Sequence, residues 1–296
     1  MSMNEGPDEV KGEEQNLAQT DQTVETDPVV AAMEQSDQRK RPLVVGIGAS
    51  AGGLVALQTF FDAMRPDTGM AFVVVTHMDP ERESLLPELL QKHTAMPVHQ
   101  IEDMTSIEPN HVYVIPPNRR IVVTDTHLDL ERFEEPRGHR VPIDYFFRSL
   151  ASAHSNAVAI ILSGGGTDGA VGVKAIKEYG GLLLVQHPDE AEYDSMPRAA
   201  INTGLADVVL PVAELAEKLM TYRRNGVPLP QNPDLLTAVE MEIIYRILAE
   251  VQARTGHDFS QYKLSTILRR IQRRMQLHGY TTLSAYMEVL RQSSDE

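Results

Sequence analysis

The segment 43–53, with the sequence LVVGIGASAGG, constrains this chain more than any other. A β-branched apolar run that ends in glycines and is followed by apolar residues at helical spacing predicts a strand, a tight turn and a helix. Gly48, Ser50 and Gly52 form the G-x-S-x-G pattern, in which a sharp turn exposes a serine hydroxyl. Gly46 and Gly48 also begin a G-x-G phosphate-loop pattern. A nucleophilic serine and a phosphate-binding loop therefore compete for this turn.

The region 42–222 alternates short β-branched runs with helical patterns, which predicts βαβ units and a mostly parallel α/β sheet. Residues 112–115 and 121–123, separated by Pro116, Pro117 and Asn118, are predicted to form a β-hairpin at one side of the sheet. Asp144 is predicted to cap the helix that follows it. The predicted strands are 43–48, 71–76, 157–162, 182–186 and 207–210, and the predicted helices are 54–64, 84–93, 145–153, 169–179, 197–203 and 212–221.

Three segments outside this region have different compositions. The first 37 residues hold ten carboxylates against one lysine, so residues 1–41 are predicted to be a disordered acidic tail. Residues 223–236 are rich in proline and lack periodicity, which predicts a linker. Residues 237–296 show three apolar helical faces and are predicted to form a small all-helical domain.

Composition excludes several classes of protein. The net charge of −15 argues against nucleic acid as the main ligand. Apolar runs are far shorter than the ~20 residues that span a bilayer, so we expect a cytoplasmic protein without membrane insertion. The chain has no cysteine, and its ten histidines lack the usual ligand spacings. We therefore expect no metal site.

Candidate catalytic groups are the polar residues that follow strands, because ligands bind beyond the carboxyl ends of parallel strands. Ser50, His77 and Asp168 each follow a predicted strand. Together they supply the nucleophile, the general base and the orienting carboxylate of an acyl-transfer triad. Each also has a structural interpretation, as a turn-forming serine, a strand-end histidine and a helix-capping aspartate. Their joint occurrence at equivalent strand ends favours the triad.

The order of the three residues, Ser then His then Asp, differs from that of the α/β-hydrolases, in which the acidic residue precedes the histidine. The sequence therefore disfavours that fold. The backbone amides of Ala51 and Gly165 are predicted to stabilise the oxyanion. His187, which follows another strand, is a second candidate base. Met196 is predicted to pack beside the pocket or to line its mouth, where it would contact substrate or a partner.

The dinucleotide interpretation requires an acidic residue about 20 residues after the glycine loop, at the end of the next strand. That strand ends in Thr76 and His77, and Asp79 comes too late in the following loop. A nicotinamide or flavin enzyme is therefore the weaker alternative, and it stays open.

One predicted helix of the C-terminal region carries a cluster of basic residues. Their spacing of i, i+1, i+4 and i+5 places them in one stripe opposite the apolar face. Such a stripe is either a solvated face or a docking site for an acidic helix or a phosphate. The residues of this arginine stripe are Arg269, Arg270, Arg273 and Arg274.

Five motifs, in order along the chain, resemble the catalytic domain of the bacterial chemotaxis protein-glutamate methylesterases. They are GIGASAGG at 46–53, THM at 76–78, PNHVYVIPP at 109–117, SGGGTDGA at 163–170 and SMPRAA at 195–200. The resemblance covers residues 42–222 and implies a doubly wound α/β domain without a cofactor. It implies hydrolysis of glutamate methyl esters on chemoreceptor cytoplasmic helices, with release of methanol, and deamidation of glutamines. It also implies that Ser50 is the nucleophile, His77 the base and Asp168 the orienting carboxylate.

Residues 239–291, with LRRIQRRM at 268–275, are similar to the N-terminal helical domain of the chemotaxis receptor methyltransferases. The chain thus resembles the front part of an esterase–methyltransferase hybrid, and we expect neither an S-adenosylmethionine domain nor methyl transfer. In that family the basic helix engages receptor helices, which favours docking by the arginine stripe. Expected partners are methylated chemoreceptor helices and a methyltransferase domain or another signalling protein. The alternative is a catalytically weak docking or sensory module.

Overall fold

The structure is a computed structural model that describes residues 42–77, 84–136, 138–225, 230, 233–259 and 261–293. The predicted acidic tail 1–41, and part of the predicted linker 223–236, lie outside the described residues. The rest of the chain, from Pro42 onward, belongs to one compact unit.

The strands within the described residues fall into two sheets. They are β1 (Leu43–Ala49), β2 (Met70–Thr76), β3 (Val98–Gln100), β4 (Thr105–Ser106), β5 (His111–Val114), β6 (Arg119–Val123), β7 (His127–Arg132), β8 (Val158–Ile161), β9 (Leu182–Gln186) and β10 (Val208–Leu210). The larger sheet has seven strands in the order β10-β9-β8-β1-β2-β5-β3, and the smaller has three in the order β4-β7-β6.

All pairings in the larger sheet are parallel. The chain starts at β1 in the middle, adds β2, β5 and β3 on one side, and then adds β8, β9 and β10 on the other. The sheet is therefore doubly wound, which confirms the predicted fold class. Its switch point lies between β1 and β8, the place where ligands bind in such folds.

The predicted hairpin between residues 112–115 and 121–123 is wrong. Residues 112–114 belong to β5, which pairs in parallel with β2 and β3. Pro116 and Pro117 have no amide hydrogen to continue a ladder, so the chain leaves the larger sheet at this point. The hairpin that does form joins β6 to β7, which pair antiparallel in the smaller sheet.

Helices cover both faces of the larger sheet. They are α1 (Gly53–Ala63), α2 (Leu86–Leu90), α3 (Pro142–Ala153), α4 (Gly172–Glu178), α5 (Ser195–Ile201), α6 (Val212–Arg224), α7 (Ala238–Thr255), α8 (Leu264–His278) and α9 (Leu283–Gln292), with 3-10 turns at Gln91–His93 and Pro233–Leu235. Alternate residues of the central strands point into two apolar clusters, one shared with α1 and α6 and the other with α3, α4 and α5. None of the helices within the described part of the chain is long and apolar enough to cross a membrane.

The three C-terminal helices, α7 to α9, form a third apolar cluster of their own. Ile271 and Met275 of α8 belong to that cluster, whereas Leu277, two residues after Met275, is buried in the α1–α6 cluster of the sheet. Because helical residues four apart share a face and those two apart do not, one helix contributes to two cores. Helix α8 therefore joins the helical region to the α/β region.

Candidate active site

The structure brings Ser50, His77 and Asp168 into one hydrogen-bonded line. His77 Nδ1 lies 3.0 Å from Ser50 Oγ, and His77 Nε2 lies 2.9 Å from Asp168 Oδ2. The Asp168 side chain is 5% exposed and that of His77 is 35% exposed. When Nε2–H donates to the buried carboxylate, Nδ1 carries the lone pair that faces the serine hydroxyl. This geometry suits proton abstraction from Ser50.

The turn that presents Ser50 is fixed by its neighbours. Gly52 has φ +68°, a left-handed conformation that suits glycine, and it caps the N-terminus of α1. The Ser50 amide donates to the Ser163 carbonyl at 2.9 Å, which ties the end of β1 to the end of β8. Ser163 Oγ donates in turn to the Ala51 carbonyl at 2.9 Å. The turn is thus anchored to the switch point through the Ser50 amide and the Ala51 carbonyl.

Close helix packing explains the G-x-G pattern without a phosphate. A Cβ added to Gly48 would lie 2.6 Å from Ile143 Cγ2, and one added to Gly46 would lie 2.6 Å from Phe146 Cε1. Real Cβ atoms do not approach other carbons this closely, so α3 can pack on β1 only where β1 lacks side chains. These two glycines therefore serve the core beneath the turn.

Asp168 and Asp144 cap each other's helices. Asp168 accepts hydrogen bonds from the Ile143 amide at 3.1 Å and from the Asp144 amide at 2.9 Å, both in the first turn of α3. Asp144 Oδ1 accepts from the amides of Val171 at 2.9 Å and Gly172 at 2.6 Å, where α4 begins. The positive ends of two helices thus stabilise two buried carboxylates. Asp168 is held in place for His77 by this reciprocal pair.

Two capping predictions are corrected by this pair. Asp144 does not cap its own helix, whose N-cap is Val141 without a side-chain bond, and Asp168 does not cap the helix that follows it. The caps are exchanged because α3 and α4 pack side by side with their N-termini together. Burial raises the pKa of the Asp144 carboxyl, the Gly172 amide bond opposes that effect, and the nearby Asp168 charge adds to the rise.

Comparison with known proteins decides the family. Residues 45–219 match the family model described as CheB methylesterase. The chain belongs to the CheB methylesterase family. Residues 244–296 match a second model, described as CheR methyltransferase, all-alpha domain. The two models together account for the α/β region and the C-terminal helices.

Relatives differ in how much of their length the chain spans. An uncharacterised 104.1 kDa protein of Rhodobacter capsulatus is 34% identical in an alignment of 237 residues that covers 71% of this chain and 24% of that protein. A Geobacillus kaustophilus protein named protein-glutamate methylesterase/protein-glutamine glutaminase is 34% identical over 62% of this chain and 54% of its own length. The crystal structure of the Thermotoga maritima CheB methylesterase catalytic domain superposes with a TM-score of 0.58 at 27% identity, covering 60% of this chain and 97% of that one.

In the CheB domain, two amides near Ser50 already have carbonyl acceptors and two do not. The amides of Ser50 and Gly164 donate to the carbonyls of Ser163 and Tyr193, both at 2.9 Å. Among the hydrogen bonds of the described residues, the amides of Ala51 and Gly165 have no protein acceptor. Both residues are exposed in turns beside the serine. These two amides are the donors that we predict for the oxyanion.

Met196 lies below the CheB active-site surface, and this placement corrects its predicted docking role. Its side chain is 1% exposed and belongs to the α3–α5 cluster. A Cβ on Gly164 would collide with Met196 Sδ and would lie 3.0 Å from Ser50 Cβ. Met196 therefore supports the loop that follows β8 from beneath, because its apolar side chain faces the core from the first turn of α5.

His187, the second candidate base, accepts a 3.3 Å hydrogen bond from the Asp189 amide in its own turn.

Part of the arginine stripe packs against the CheB domain, and part of it is exposed. Arg273 is 7% exposed, and its Nη2 lies 3.4 Å from Asn156 Oδ1. Arg269 and Arg273 line a cavity of about 160 Å³ together with Leu43, at the start of β1. Arg270 is exposed. The prediction of one docking stripe is therefore wrong for Arg273, which is buried because Leu277 on the same helix docks on α6.

The sequence did not indicate a role at the candidate site for two supporting side chains. Gln186, which is 3% exposed, accepts from the Ser163 amide at 2.7 Å through Oε1. Asp144 acts on Asp168 as described above. A polar residue that ends a fully apolar strand was the available signal for Gln186. Asp144 gave only the signal of an ordinary helix cap.

Proposed function

We propose that this chain is a serine-type esterase that hydrolyses glutamate γ-methyl esters in proteins and deamidates glutamines. The single observation that carries the proposal is the unbroken line from Ser50 Oγ through His77 to buried Asp168, with separations of 3.0 and 2.9 Å. It is supported by relatives whose names state both activities. The predicted absence of a cofactor stays a prediction.

The chemistry follows from the roles of these groups. Ser50 Oγ attacks the ester carbonyl while His77 Nδ1 takes the hydroxyl proton, and Asp168 stabilises the resulting imidazolium. The amides of Ala51 and Gly165 donate to the oxyanion of the tetrahedral intermediate. His77 returns the proton to the departing methoxide, so methanol leaves and an acyl-serine remains. Water then attacks with His77 as base, and the glutamate carboxylate and free Ser50 are released.

The protein substrate is proposed to be the cytoplasmic helices of methylated chemoreceptors. Two observations support this class: the family match to CheB methylesterases and the adjoining match to the all-alpha domain of a CheR methyltransferase. Enzymes that add and remove one methyl group need access to the same polypeptide. A methyltransferase domain or another signalling protein is a proposed partner, and the cytoplasmic location stays a prediction.

Methanol release from methylated chemoreceptor tests the proposal. Ser50→Ala removes the attacking oxygen and should lower kcat by about 10³-fold or more, because triad nucleophiles account for effects of this size. Ser155→Ala is the matched control, since Ser155 is an exposed serine in the turn before β8. Equal rates for the Ser50→Ala and parent chains would refute the proposal. Receptor binding by a parent chain that releases no methanol would favour the docking or sensory alternative.

A further inference from the structure

A groove of about 380 Å³ opens beside His77 on the side away from Ser50's own turn. Its walls include Thr76, Asn118, Arg119, Phe133 and Arg140. It is formed by the end of β2, the β6–β7 hairpin and the segment that leads into α3. The groove is thus continuous with the catalytic edge of the sheet, and the mechanism above does not use it.

Arg140 is held firmly in the wall of this groove. Its Nε donates to the Glu135 carbonyl at 3.0 Å, its Nη1 donates to Asn118 Oδ1 at 2.5 Å, and its guanidinium carbon lies 5.1 Å from the centre of the Phe133 ring. An arginine has five N–H donors. These contacts use two of them and fix the plane of the guanidinium, which leaves a pre-oriented cation with donors to spare.

Arg119 adds a second positive charge whose position is unfavourable without a ligand. In the β6–β7 ladder it lies directly opposite Arg132, and like charges in opposed positions destabilise a sheet. The nearby carboxylates face the other way: Glu131 lies 2.8 Å and Glu135 4.0 Å from Arg120. Within the described residues, neither Arg119 nor Arg140 has a carboxylate partner. Two arginines that have no carboxylate partner among the described residues thus line one groove of a chain whose net charge is −15.

We propose that this groove binds a carboxylate of the polypeptide substrate, next to the ester that Ser50 attacks. The inference rests on the proposed function and names the sequence context that the site selects. The groove begins beside His77, and side chains four residues apart share one face of a helix about one turn, or 5.4 Å, apart. The preferred substrate therefore carries an unmodified glutamate or aspartate four residues from the ester.

The reaction itself generates such a group. Each hydrolysis converts a neutral methyl ester into a glutamate carboxylate, which Arg140 and Arg119 can then bind while a neighbouring ester enters the site. In a helix with several esters, the first hydrolysis should therefore accelerate the next one. Charge-assisted bonds to a fixed arginine are stronger than neutral bonds, and partial exposure reduces their effect to about tenfold in kcat/KM.

The test compares two helical peptides, each with one glutamate methyl ester and with either Glu or Ala four residues away, because a Gln there could itself be deamidated to Glu. The full chain should cleave the Glu peptide with about tenfold higher kcat/KM, mainly through KM, and added salt should shrink the ratio. Arg140→Ala should bring the ratio to about one. Arg246→Ala removes the same charge from an exposed i,i+4 pair on α7 and should leave the ratio unchanged.

Each result bears on the proposal. A parent chain that cleaves both peptides equally, or a ratio that survives Arg140→Ala, overturns it while ester hydrolysis stands. If Arg140→Ala lowers the melting temperature, Arg119→Ala on the hairpin surface must show the same loss of preference. If the parent cleaves neither ester, the proposed function fails. Binding of the two peptides to the Ser50→Ala variant, measured by fluorescence anisotropy, then tests the groove separately. Equal binding of the Glu and Ala peptides there would also overturn it.

Discussion

Replacement of Asp144 tests whether reciprocal capping holds the Asp168 carboxylate in place. Asp144→Ala removes the acceptor for the amides of Val171 and Gly172. The Gly172 amide is buried, so its loss costs about 1–3 kcal/mol, and the lost cap of α4 costs about another 1 kcal/mol. We expect unfolding free energy to fall by about 2–4 kcal/mol. Because the same segments place Asp168, kcat should fall about 10- to 100-fold with little change in KM.

Asp144→Asn is the matched control, because both amides bond to the single oxygen Oδ1, which asparagine keeps. Burial raises the pKa of Asp144, so the fold favours the protonated form. The stability that this preference contributes is complete below the unfolded pKa of about 3.9 and is lost as pH rises through the folded pKa. Asp144→Asn leaves no carboxyl group to ionise, so the variant does not lose this stability as pH rises. Its stability relative to the parent should therefore rise from pH 4 toward neutrality.

Urea denaturation between pH 4 and 7.5, with methanol release at each pH, measures both effects. The alanine variant should be less stable and slower, whereas the asparagine variant should fold at least as well at neutral pH. If the two variants differ from each other by less than about 0.5 kcal/mol and both keep the parent kcat, Asp144 does not position Asp168.

Two further substitutions follow from the packing. Gly164→Ala should lower kcat by about 10²-fold with a small change in melting temperature, since the new Cβ would collide with Met196 Sδ beside Ser50; an unchanged kcat would mean that the loop absorbs a methyl group freely. Leu277→Ala should cost about 2–5 kcal/mol and separate the unfolding of the helical region from that of the CheB domain in calorimetry. Leu290→Ala, made wholly inside the helical cluster, should lower only the helical transition, and identical profiles for the two variants would contradict this account.

The convergence of the three candidate residues was predictable because parallel strands align their carboxyl ends. Ser50, His77 and Asp168 follow β1, β2 and β8, which are neighbours in the sheet, so strand position alone placed them at one edge. The fold class was predictable for a similar reason, since buried parallel strands are continuous apolar runs bounded by polar turns. Local pattern was sufficient wherever position along a strand decided the outcome.

The exchanged caps and the hairpin were not predictable, because tertiary contacts decide them. A carboxylate near a helix start can cap any N-terminus within reach, and only the packing of α3 beside α4 determines that Asp168 and Asp144 exchange helices. Residues 112–115 have strand propensity, but nothing in their sequence indicates which strand they pair with. The burial of Arg273 depends likewise on Leu277, whose apolar character was visible but whose partner was not.

Helix α8 contacts the larger sheet at the amino ends of its central strands. Arg273 lies beside Asn156 and Leu43, at the amino ends of β8 and β1, whereas Ser50 follows the carboxyl end of β1. Ser50 lies seven residues after Leu43, a distance of about 23 Å along the strand. The helical region is therefore attached at the end of β1 opposite Ser50. A single continuous helix must present at least four turns to reach both ends.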